Sequence, residues 1–103
     1  MQYDHIKLPV QGEAITVNGD HSINVPDNPI IPYIEGDGIG IDVTPVMQDV
    51  SNAAVQRAYG GKRKIEWMEI YAGGKATELY GENEFLPEET LKAMQHYVVS
   101  IKG

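Results

Sequence analysis

Residues 25–45 read VPDNPIIPYIEGDGIGIDVTP, and how this stretch folds decides the rest of the chain. Ile30 to Ile34 is apolar at almost every position, as a strand covered on both faces requires, and Pro26, Pro29 and Pro32 punctuate the approach to it. The next six residues, Glu35-Gly36-Asp37-Gly38-Ile39-Gly40, include three glycines that tolerate left-handed or otherwise strained backbone angles, so the chain can reverse tightly and start a helix. From Ile41 to about Tyr59 the apolar residues Val43, Val46, Met47, Val50, Ala53, Ala54 and Ala58 recur at spacings of three and four, the period of a helix. Pro45 falls near the first turn, where backbone amides lack intrahelical acceptors, and Gly60-Gly61 supplies the stop.

Downstream, Lys64 to Tyr71 mixes apolar and charged side chains around Ile65, Trp67 and Ile70 and predicts a second strand. A glycine-bounded loop follows, with one helical turn over Lys75 to Tyr80. Pro87 with Glu88 and Glu89 marks a helix start, the acids favouring the positive end of the helix dipole, and the helix is expected to run to His96. Tyr97 to Ile101 is rich in β-branched residues and predicts a third strand. Upstream, Ala14 to Val17 and Ser22 to Val25 flank Asn18-Gly19, a hairpin signal because both residues tolerate positive φ. The expected organisation is an N-terminal hairpin arm over residues 1–26 and an α/β segment over residues 27–103. Strand, helix, strand, helix, strand with connections of this length predicts parallel crossovers in a doubly wound sheet.

The chain has 103 residues, enough for one domain that buries about two-thirds of its extended surface. Eight basic against fifteen acidic residues give a net charge of −7, which opposes a polyanionic partner, since nucleic-acid binding relies on Lys and Arg at the phosphates. Lys62, Arg63 and Lys64 form a short cluster that reads as a solvated turn. There is no cysteine, which suits a reducing cytoplasm. The N-terminus lacks a basic region followed by an apolar run, and nowhere do 18 uncharged apolar residues stand together, so neither a secretory signal nor a membrane span is expected. His5, His21 and His96 share no metal-ligand spacing, while Trp67, Tyr71, Met47, Met68 and Met94 read as core residues.

Between a strand and a helix, the glycine turn stands where a dinucleotide fold places its pyrophosphate loop. Its spacing is G-x-G-x-G rather than G-x-G-x-x-G, and Gly60 and Gly61 occupy the region where a ribose-binding acid belongs. Asp37 is a poor neighbour for a diphosphate. All three observations oppose a Rossmann site, and Asp37 reads as a turn residue.

Together with IEWMEIYAG at residues 65–73, LPEETL at residues 86–91 and VSIKG at residues 99–103, the glycine turn resembles the N-terminal region of the NADP-dependent isocitrate dehydrogenases of the bacterial type. The resemblance covers essentially everything from Val25 onward, in that family's order and spacing. It implies oxidative decarboxylation of isocitrate to 2-oxoglutarate in the tricarboxylic acid cycle and its glyoxylate bypass, with NADP and Mg2+ or Mn2+ as cofactors, in a cytoplasmic homodimer. Nucleotide binding in this group uses loops other than a Rossmann turn, and the resemblance places Ile39 near the nicotinamide end of the cofactor. Lys102 matches a lysine at the carboxyl end of its strand, facing the cleft for isocitrate and NADP, which is the edge where open α/β sheets place ligands.

Members of this family are several times longer than 103 residues. The resemblance therefore implies that the metal-binding aspartates, the substrate arginines and the proton-transfer tyrosine and lysine lie beyond Gly103, so the expectation is an inactive segment that holds neither cofactor nor metal alone. Ser100 is not the family's phosphorylatable serine, which belongs to the following segment. The sister 3-isopropylmalate and homoisocitrate dehydrogenases also carry a G-D-G-I-G turn, and the N-terminal hairpin with WMEIYAG and LPEETL opposes that alternative. A non-catalytic α/β interaction module is the remaining one.

Overall fold

The computed structural model describes residues 2–103. In chain order the elements are β1 (Glu13–Ala14), β2 (Thr16–Val17), β3 (Ile23–Asn24), β4 (Pro29–Ile34), α1 (Gly40–Tyr59), β5 (Glu66–Ile70), α2 (Gly74–Tyr80), α3 (Glu88–Tyr97) and β6 (Ile101–Lys102). β4 is the central strand. It pairs in parallel with β5 from Ile30↔Glu66 to Ile34↔Ile70, and its other side is shared by two short parallel strands. β1 covers the start of that side at Pro29 and Ile30, and β6 covers its end at Tyr33 and Ile34. The parallel α/β expectation holds, and both major helices pack on the sheet.

Two prolines in a central strand need an explanation, because proline has no N–H to give to a ladder. Asn28 accepts from the Glu13 amide on the β1 side, and Ile34 accepts from the Gly103 amide on the β6 side. Backbone groups two residues apart on a strand point the same way, so Pro32 also faces that side. It falls in the gap between the last β1 pair, at Ile30, and the first β6 pair, at Tyr33. Pro29 faces β5, one residue before that pairing begins.

Side-chain alternation divides the sheet into two faces. Ile30 and Ile34 of β4 and Met68 and Ile70 of β5 form a core with Ala93 and Tyr97 of α3, and Ile6 from the N-terminal stretch closes it. Thr90, Ala93 and Tyr97 recur at helical spacing and are all buried. The Thr90 hydroxyl donates to the Tyr71 carbonyl at 2.7 Å, so its burial leaves no polar atom unpaired. On the opposite face, the Trp67 indole N–H donates to Asn52 Oδ1 of α1 at 2.9 Å, and Gln48 hydrogen-bonds the Tyr33 side chain. Trp67 and Tyr71 are half-buried rather than central core residues.

Several sequence-based boundaries need correction, and β5 runs over Glu66–Ile70 rather than Lys64 to Tyr71. Tyr97 does not begin a strand. Its side chain lies on the same helical face as Thr90 and Ala93, and burying it extends α3 by one residue. The chain then reverses at Val98, whose φ of 71° and ψ of −50°, with Val99 N donating to the Tyr97 carbonyl at 2.7 Å, make a γ-turn of the strained hand. Only Ile101 and Lys102 remain to pair with β4.

The N-terminal ribbon is shorter than expected, because Ala14 pairs with Ile30 in the main sheet and only Thr16–Val17 and Ile23–Asn24 form the antiparallel hairpin. Its turn also differs. Asn18 N donates to the Ser22 carbonyl across a three-residue loop, Gly19-Asp20-His21, and the positive φ falls on His21 at 70° rather than on Asn18-Gly19. A three-residue connection is a tight turn followed by one left-handed residue, here His21, whereas a two-residue turn needs its left-handed residues in the centre.

Candidate functional site at the carboxyl edge of the sheet

The glycine turn leaves β4 at Ile34, and β6 ends beside it. Gly103 N donates to the Ile34 carbonyl at 2.8 Å, which brings Lys102 to the same edge as the turn. The approach depends on missing side chains. A Cβ on Gly36, where φ is 89°, would stand 2.8 Å from the carbonyl carbon of Gly103, and one on Gly103 would stand 2.3 Å from the Glu35 carbonyl oxygen. A Cβ on Gly40 would meet that oxygen at 2.4 Å. The Glu35 carbonyl thus sits in a cradle of two glycines, and it accepts the Thr44 hydroxyl of α1 at 2.7 Å.

Ile39, the cap residue of α1, is 77% exposed, and Gly38 beside it opens to free space. Such an edge suits contact with the flat face of a ring. Lys102 is exposed, and its ammonium donates to its neighbour's carbonyl, Gly103 O, at 3.2 Å. Lys102 therefore stands at the carboxyl end of one parallel strand, and Ile39 at the end of the turn that follows another.

Three charged residues that sequence reading missed complete the edge. Lys75 of α2 donates to Glu35 Oε1 at 3.0 Å and to Glu69 Oε2 at 2.5 Å, bridging the turn and the end of β5. Desolvation opposes the Lys75 ammonium, yet hydrogen bonds and charge from Glu69 and Glu35 outweigh it, and its pKa is raised. Asp37 is a turn residue, as expected, and it also ties the turn to α2, because its Oδ2 accepts the Gly74 amide at 3.0 Å. Glu35 and Lys75 are 40 residues apart in sequence, so no local pattern could pair them.

Glu89 also does more than favour a helix dipole. Its carboxylate accepts the backbone amides of Asp4 at 2.7 Å, His5 at 3.1 Å and Ile6 at 3.4 Å, together with the Tyr80 hydroxyl. Burial works against its charge, but the Tyr80 and backbone hydrogen bonds prevail and hold its pKa below the ordinary carboxylate value. Burial and the same contact push the Tyr80 phenol up. This junction fastens the N-terminal stretch to α3.

No group of three or more His, Asp or Glu among the described residues is arranged to hold a metal ion. What this edge presents is an exposed lysine, an exposed apolar side chain and backbone. No helix among the described residues is long and apolar enough to cross a membrane.

A parallel sheet carries a G-D-G-I-G turn and a lysine at one edge, and residues 30–103 match the profile of the isocitrate/isopropylmalate dehydrogenase family, to which the chain belongs. Among its curated relatives are isocitrate dehydrogenase [NADP] of Coxiella burnetii, 64% identical over 98% of this chain, and that of Pseudomonas aeruginosa, 60% identical over all of it. The enzyme of that name from Aquifex aeolicus is 47% identical over 94% of the chain. These matches span 23%, 25% and 22% of the respective relatives, so the chain corresponds to about a quarter of their length.

Proposed function

We propose that this chain is the N-terminal segment of an NADP-dependent isocitrate dehydrogenase and supplies one edge of its substrate and cofactor cleft. The observation that carries this reading is the junction of Gly103 with Ile34 and Gly36, which sets Lys102 beside the turn that bears Ile39. Relatives named for isocitrate and NADP at 60% identity and above support the substrate pair. Lys102 contributes a cation for a carboxylate of the tricarboxylic substrate, a charge-assisted contact. Ile39 contributes an apolar wall against the nicotinamide, with Gly38 and Gly40 keeping backbone rather than side chain at its flanks. Bound NADP would accept the hydride from the substrate's hydroxyl-bearing carbon.

The whole protein on this reading is a cytoplasmic homodimer of the tricarboxylic acid cycle and glyoxylate bypass, with the carboxylate ligands for Mg2+ or Mn2+ outside these 103 residues. The segment alone accordingly turns over no isocitrate. A chimera in which this chain replaces the matching quarter of the Coxiella burnetii enzyme tests the proposal. It should form NADPH from isocitrate, and Lys102→Met should lower kcat/KM by about tenfold to a hundredfold, the worth of one charge-assisted contact. Lys62→Met, on the exposed turn after α1, should change it little. Equal, small effects of the two substitutions would overturn the assignment of Lys102, and a chimera selective for 3-isopropylmalate would move the chain to the sister group.

A further inference from the structure

We infer that Lys75 is a positioning residue for this cleft edge, holding the glycine turn through Glu35 and the end of β5 through Glu69 so that Ile39 and Lys102 keep their places. The inference rests on the function proposed above for its kinetic consequence, and on geometry alone for its structural one.

Glu35 is gripped at both ends. Its carbonyl takes the Thr44 hydroxyl from α1 and is packed by Gly40 and Gly103, while its side chain takes the Lys75 ammonium from α2. Rotation of the Glu35-Gly36 peptide would push directly against Gly103, because no Cβ lies between them to take up movement. The residue that fixes the Glu35 side chain therefore also limits where Gly103, and with it Lys102, can stand. Lys75 reaches across to Glu69, and its ammonium lies 5.8 Å from the centre of the Tyr71 ring. Asp37 reinforces the tie one residue earlier, at the Gly74 amide.

Charge gives Lys75 a second effect. Glu35 and Glu69 converge on this one ammonium, and among the described residues no other cation pairs with either of them. Without it, two carboxylates face each other at the mouth of a cleft proposed to take an anionic substrate. Their repulsion spreads the turn from β5, and their charge opposes the substrate's approach.

Amide hydrogen exchange on the 103-residue chain tests the structural half. In Lys75→Met, the Gly40, Gly74 and Gly103 amides should exchange about tenfold faster, the change expected when a local opening loses one hydrogen-bonded ion pair. The Ala93 and Met94 amides of α3 should stay within about twofold, and Lys75→Arg should restore the slow rates. In the chimera, Lys75→Met should raise KM for isocitrate about tenfold with kcat within about threefold, and Lys75→Arg should recover most of it.

Unchanged exchange at Gly40, Gly74 and Gly103 in Lys75→Met overturns the inference whatever the kinetics show. Faster exchange at those three sites that Arg reverses supports it even if the unsubstituted chimera is inactive, a result that counts against the proposed function alone. Faster exchange spread equally over α3 overturns it by making Lys75 a general stabiliser.

Discussion

The two faces of this sheet are cut from the same two strands yet are built on different chemistry. Toward α3 the strands present Ile30, Ile34, Met68 and Ile70, and the helix answers with Thr90, Ala93 and Tyr97, so that face is closed and dry. Toward α1 they present Tyr33 and Trp67, and the helix answers with Gln48 and Asn52 through hydrogen bonds. The apolar stripe of α1 points elsewhere. Val43, Val46 and Val50 are 53%, 59% and 64% exposed and line a surface groove of about 470 Å3, while the buried residues of that helix are Gly40 and Thr44. Helical periodicity shows that a stripe exists; it does not show what the stripe faces.

The sharpest way to break this comparison is to truncate one core side chain. Met68 of β5 is 1% exposed in the core that α3 closes, and Met68→Ala should destabilise the chain by about 2–5 kcal/mol, measured as a lower urea midpoint. A loss below about 1 kcal/mol would mean that the α3 face is loosely packed and no different in kind from the α1 face.

Glu89 tests what holds the N-terminal stretch over the closed face. Its pKa is depressed in the folded state relative to the ordinary value of 4.5. Its stabilisation is therefore complete above that value and is lost as pH falls through the lower folded pKa. Glu89→Gln should cost about 1–2 kcal/mol at neutral pH, discounted for partial exposure, and should flatten the fall in stability between about pH 5 and pH 3. An unaltered acid limb would assign acid sensitivity to other carboxylates.

The smallest effect belongs to the exposed stripe. Val46→Lys should leave stability within about 0.5 kcal/mol of the unsubstituted chain, because an exposed valine on a helix surface has little burial to lose. A loss above about 1 kcal/mol, or a drop in apparent mass by sedimentation, would show that the α1 face is covered in solution, by another copy of this chain in the second case.

Sequence made the punctuated parts of the fold legible. Pro87 followed by two acids gave the start of α3, Gly60 gave the end of α1 with its left-handed φ of 59°, and the glycine turn fell where a strand hands over to a helix. Each of these is a local rule about backbone angles or missing donors. What stayed hidden depended on distant partners. Tyr97, Val98 and Val99 carry strand propensity, but the core claims Tyr97 for α3 and the chain must bend sharply to enter β6. β1 exists because Ala14 meets Ile30, not because of its own two residues.

The candidate site divides in the same way. Resemblance singled out Lys102 and Ile39, and the parallel order of the strands explains why they stand at one edge. Lys75 was not, since its role is set by Glu35 and Glu69, one of them 40 residues away and on another element.

Pro32 of β4 also bears on strand register. β1 and β6 are two-residue strands sharing one side of β4, and so short a strand has little side-chain pattern with which to find its register. If β6 slid toward the start of β4, it would come against Pro32, which offers no donor, and if β1 slid forward it would meet the same blank position. Each strand is thereby confined to its own end by a missing hydrogen. Replacing Pro32 with a residue that carries an N–H would open a continuous docking rail along β4, on which misaligned pairings, and strands from other chains, could compete with the native ones.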